Sequence, residues 1–133
     1  MSRLAGERGS LLVAGLLFTV ALLLAVGASV DLGRAFIARR ELAALADQAA
    51  LSGAQQLDLA SLHEGRLTLE RQDAVRAAER ALSGQAALTV RVAAGSNSVD
   101  VRLQRRLTTV FLPLLGISSL TLGAAAVATP RQP

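Results

Sequence analysis

The sequence predicts an α+β protein: a single N-terminal transmembrane helix extended into a long juxtamembrane helix, then a small domain of one helix and a three-stranded antiparallel sheet. Three observations lead there. Residues 9–30 carry no charge and no proline, and at about 1.5 Å per helical residue they reach roughly 33 Å, the depth of a bilayer's hydrocarbon core. Residues 31–54 continue without proline and are rich in Ala, Leu, Arg and Glu, which are good helix formers. From Leu88 onward the apolar period changes from 3.6 to 2, the repeat of strands.

The first stretch also has to be weighed against a cleaved signal peptide. Such a peptide has an apolar core of about 7–15 residues before a small-x-small cleavage site. The triplets Ala25-Val26-Gly27 and Gly27-Ala28-Ser29 mimic that site, but the apolar run is longer, so a transmembrane helix over 10–30 is the reading taken. Residues 1–9 form a short leader with Arg3 and Arg8 against Glu7, the kind of flank that stays in the cytoplasm. Arg34, Arg39 and Arg40 follow the helix closely, so arginine counting alone leaves the orientation open.

Within the membrane helix Ala21, Ala25, Ser29 and Gly33 recur every four residues. Small side chains in such a row allow another helix to approach closely, because backbones then make dispersion contacts. Asp31 and Arg34 stand three apart at the lipid boundary, where a helical ion pair shields an otherwise costly charge. In the juxtamembrane helix, 31–54, Phe36, Leu42, Leu45, Ala49 and either Leu51 or Gly53 mark a narrow apolar side.

Residues 53–68 read as a break, with Gly53, Ser61 and Gly65 and no sustained period. His63 and Glu64 fall there and read as a surface pair. A second helix is expected over 69–82, burying Ala74, Val75, Ala78, Ala81 and Leu82 and ending at Ser83-Gly84. The stretches 88–92 and 99–103 alternate apolar and polar residues around Gly95-Ser96-Asn97-Ser98, the pattern of a hairpin. A two-residue Gly95-Ser96 turn would pair Val92 with Val99, Val90 with Val101, Leu88 with Leu103 and Arg91 with Asp100. Residues 109–116 are an apolar connector broken by Pro113 and too short to span a bilayer. Residues 117–129 read as the third strand, which completes a minimal sheet.

Composition narrows the function. The chain is 52% apolar but 2% aromatic, so residues 55–133 pack on Ala, Leu and Val, a thin core for a small domain. Fourteen Arg, no Lys and 10 acidic residues leave a charge of +4. The arginines are dispersed and mostly paired with acids, and no aromatics interleave them, so nucleic acid is not expected as a partner. Cysteine is absent and there is one His. With no triad, phosphate loop or metal-ligand spacing, neither catalysis nor a cofactor, metal or small-molecule substrate is expected.

Glu7-Arg-Gly-Ser10 before the apolar stretch, then Val30-Asp-Leu-Gly-Arg34, Arg39-Arg-Glu-Leu42 and Ala46-Asp-Gln-Ala-Ala-Leu-Ser-Gly-Ala54, together resemble the TadE/TadG-like family of Flp (tight adherence) pilus-assembly proteins. The resemblance covers residues 6–54, and the hairpin, connector and final strand are similar to the small TadE-like pseudopilins in layout alone. It implies a single-pass, pilin-like membrane protein with the N-terminus inside and an extracytoplasmic domain over 55–133. Its implied role is a minor pilin or assembly factor whose partners are the membrane and other pilus or secretion-assembly proteins. Some members of the family are cut by a prepilin peptidase after a glycine, which would make Gly9 and Ser10 the candidate processing site. The family's glutamate at mature position five is replaced here by Ala14, so an accessory role is favoured over that of a major fibre subunit. The alternative is a membrane-anchored binding or regulatory module with a cytoplasmic C-terminal domain, which the arginines after the helix favour.

Overall fold

The computed structural model describes residues 3–56, 62–66 and 68–130, with side chains from Gly9 onward. The side chains of the leader charges Arg3, Glu7 and Arg8 lie outside the described residues, as do residues 57–61 and Leu67 of the expected break. The order is helix α1 (Arg3–Ala54), helix α2 (Arg71–Ala81), strands β1 (Leu88–Ala94) and β2 (Val99–Thr108), a 3-10 turn (Leu112–Leu115), and strand β3 (Ser119–Ala128). The strands form one antiparallel sheet in the order β1-β2-β3, so the fold is α+β. The chain divides into two compact units: Met1–Arg34 with Thr108–Ser119, and Ala35–Leu107 with Leu120–Pro133.

In the first unit, α1 has one stretch long and apolar enough to cross a membrane, and no other such helix stands among the described residues. Its most apolar window has a mean hydropathy of 2.7 and is only 6% buried, whereas the core helix of a soluble protein would be mostly covered.

The second unit is built on close backbone approach. Leu42, Ala46, Ala49, Ala50 and Ala54 of α1 share a buried cluster with Ala74 and Ala78 of α2, Val99, Val101 and Leu103 of β2, and Ala126 and Ala128 of β3. The spacing 42, 46, 49, 50, 54 is a helical stripe. It overlaps the expected one in part: Leu42 and Ala49 are buried, Leu45 is half-buried, Phe36 is exposed, and of the alternatives Gly53 is buried and Leu51 exposed. Size explains the difference, because alanines let the helix sit close to its neighbours where Phe and Leu would hold it away. Gly53 shows how tight the fit is, since a Cβ there would lie 2.9 Å from the Ala74 carbonyl oxygen and 3.1 Å from a Val99 methyl. Phe36 instead lies under the Arg40 guanidinium, 5.8 Å from its ring centre, a cation–π distance. On α2 the buried residues are Ala74, Ala77 and Ala78, with Leu82 just after. Val75 and Ala81 are only half-buried.

The hairpin register is a correction. Val92 pairs with Val101, Val90 with Leu103, Ala94 with Val99 and Leu88 with Arg105, two residues away from the expected pairing. β1 continues through Ala93 and Ala94, and the loop is Gly95–Ser98, closed by the Gly95 N–H donating to the Ser98 carbonyl at 2.8 Å. A two-residue turn of the expected type needs a positive φ at its glycine, and Gly95 does not adopt one. The loop is also tethered, because the Leu69 N–H donates to the Ser96 carbonyl at 2.9 Å. A shift of two preserves the face of every side chain, so the apolar side survives. The cross-strand ion pair does not: Arg91 faces Arg102, and Asp100 pairs along its own strand with Arg102 at 3.1 Å.

Candidate assembly site on the apolar helix

In the first unit, the end of the apolar run and the 109–118 segment form one structure. Asp31 is the first acid after residues 9–30, and its side chain is 0% exposed. Its carboxylate accepts the backbone N–H groups of Val110 at 2.9 Å, Phe111 at 2.7 Å and Leu112 at 2.8 Å. These three amides precede or open the 3-10 turn, where backbone donors have no partner of their own. A carboxylate offers acceptors only, so its fit to successive N–H groups is complete. Arg34 stands 3.6 Å from Asp31 and is half exposed. The ion pair read from the sequence is thus the weaker part of a larger arrangement.

The rest of the segment closes on itself. Pro113 has no N–H to satisfy. The Thr109 hydroxyl donates to the Ile117 carbonyl at 2.6 Å, and the Thr109 N–H to the Ser118 carbonyl at 3.2 Å. Gly116 takes a φ of 85°, the left-handed conformation that ends the turn, and its N–H donates back to Pro113. Phe111 rests on Gly27, where a Cβ would lie 2.8 Å from the Phe111 side chain. Glycine at 27 is therefore what lets the segment lie against the helix.

Ala21, Ala25, Ser29 and Gly33 are all exposed. At 3.6 residues per turn they lie on the side of α1 opposite to Leu24, Gly27 and Asp31, the side that the 109–118 segment covers. Ser29 donates its hydroxyl to the Ala25 carbonyl at 2.8 Å, which leaves no unpaired donor on the stripe. A Cβ on Gly33 meets nothing within 4 Å. Gly9 and Ser10 lie within α1 and are exposed. Glu64 pairs with Arg66, and among the described residues no group of three His, Asp or Glu is placed to hold a metal.

Sequence reasoning missed the three amide donors and the Gly27–Phe111 contact. Backbone N–H groups carry no residue signature, and these lie 79 to 81 positions from Asp31. The available signal was an apolar connector too short to span a bilayer, paired with an acid ending an apolar run.

No curated protein and no solved structure matches the chain significantly. Residues 9–56, which hold the apolar helix, the small-residue row and Asp31, match the family model described as putative Flp pilus-assembly TadE/G-like.

Proposed function

We propose that the protein is a non-catalytic, membrane-anchored, pilin-like accessory component of a Flp (Tad) pilus or type IV-related secretion assembly. The observation that carries this reading is the family match over residues 9–56, the part of the chain with the long apolar helix. The helix crosses the bilayer at about 10–30, with Asp31 and Arg34 at its boundary, and the domain over 55–133 lies outside the cytoplasm. Assembly works through the open row Ala21, Ala25, Ser29 and Gly33, which supports the reading because the opposite side of α1 is already covered. Close approach along such a row brings two helix backbones into dispersion contact.

Topology is the direct test. With no native cysteine, Ser96→Cys in the exposed hairpin loop gives a single reporter for a membrane-impermeant thiol reagent. Labelling in intact cells is expected. Labelling only after lysis would favour the second reading, a regulatory module with a cytoplasmic domain, for which exposed Arg39 and Arg40 speak.

The packing role has its own test. Ala25→Leu with Gly33→Leu is expected to abolish or strongly reduce crosslinking of α1 to other membrane helices. Both positions are exposed, and Gly33 has open space for a side chain, so the fold tolerates the change. Undiminished crosslinking would remove the row from the mechanism.

A further inference from the structure

The 109–118 lobe presents a surface that the assembly reading does not use. Val110, Leu114, Leu115 and Ile117 are exposed, Leu114 at 72%, and no charged residue occurs from Leu107 to Pro130. In water this would be an unusual patch for so small a protein.

We propose that the lobe is a re-entrant element immersed in the hydrocarbon of the bilayer beside α1, with lipid acyl chains as its occupant. The inference rests on α1 crossing the membrane, and three observations carry it. The first is depth. Phe111 lies on Gly27, one helical turn inside Asp31, and Leu114 lines the same open apolar groove as Val20, Leu24 and Val30. Val20 is about 16 Å along the helix from Asp31, against a hydrocarbon half-thickness of about 15 Å. A lobe held there cannot stay in water while the helix spans.

The second is hydrogen bonding. Non-helical backbone enters lipid only when its polar groups are satisfied within the protein. Asp31 takes the three donors that open the lobe, Pro113 has none, and those of Leu114, Gly116 and Ile117 turn back onto Phe111, Pro113 and Leu112. The third is continuity, since Leu114 lines one groove with Leu23 of the helix, and Leu23 is exposed like Leu16 and Leu17 further along the same apolar run. A membrane-facing helix surface extended by an uncharged lobe fits acyl chains.

The test uses the full chain in vesicles of phosphatidylcholine and phosphatidylglycerol. A single cysteine replaces Leu16, Ser96, Leu114 or Leu115 in turn and carries an environment-sensitive nitrobenzoxadiazole label. Labels at Leu114 and Leu115 are expected to be quenched by mid-chain nitroxide lipids as strongly as the label at Leu16, and to resist aqueous iodide. The Ser96 label should behave in the opposite way. Iodide quenching at both lobe positions would overturn the proposal, and so would shielding from both quenchers, which would mean a protein partner or a second copy on the lobe. Loss of lipid quenching at Leu16 as well would overturn the membrane span together with the lobe. Quenching at Leu16 without quenching at Leu114 or Leu115 overturns the lobe alone.

Discussion

Asp31→Ala is expected to release the 109–118 lobe from α1, with the amides of Val110, Phe111 and Leu112 exchanging hydrogen about tenfold faster or more. The three N–H groups lose the acceptor they share at once, in a place where the carboxylate is shut away from solvent. Residues 9–40 and 107–130 hold no other acid. Asp31→Asn should fall between, because one oxygen still accepts while the amide nitrogen turns further donors toward donors. Arg34→Gln should change the exchange little, since Arg34 is half exposed and 3.6 Å away. Hydrogen exchange in nanodiscs reads all three, with the α2 amides as an internal reference. Unchanged protection of residues 110–112 in Asp31→Ala would show that the turn holds itself and that Asp31 is not its clamp.

The contrast between Asp31 and the rest of the fold shows what a sequence carries. The long helix, α2 and the three strands announce themselves through periodicity, which is local. The hairpin's faces were legible for the same reason, because a period of 2 survives any even shift in register. Its register was not. That depended on whether Gly95 took a positive φ, and the Leu69–Ser96 hydrogen bond tethers a four-residue loop there instead. The buried side of α1 is only partly legible: Leu42, Ala49 and Gly53, the last as an alternative to Leu51, fall on it, while Phe36 does not, because hydrophobicity alone says nothing of fit. Asp31 stood out as a charge at the end of an apolar run, and Arg34 was the visible partner. The stronger partners were peptide groups some eighty residues on, and these have no letters of their own.

Leu42→Ala is the substitution expected to cost the second unit most, by about 2–5 kcal/mol, lowering its unfolding midpoint by roughly 10 °C or more. Leu42 is, with Leu103, the largest of the fully buried side chains, at 0% exposed. Its cluster is otherwise mostly Ala and Val, short side chains that cannot swing into a void, so the cavity stays open. In a small domain with few large apolar groups, that loss is a large share of the total stability. Leu51→Ala removes the same atoms from the same helix at a position that is 44% exposed, and should cost far less. Thermal melts followed by circular dichroism on the two variants compare like with like. Equal shifts would mean that α1 meets the sheet through a different face, and the alanine stripe at 42, 46, 49, 50 and 54 would no longer account for how the helix is held.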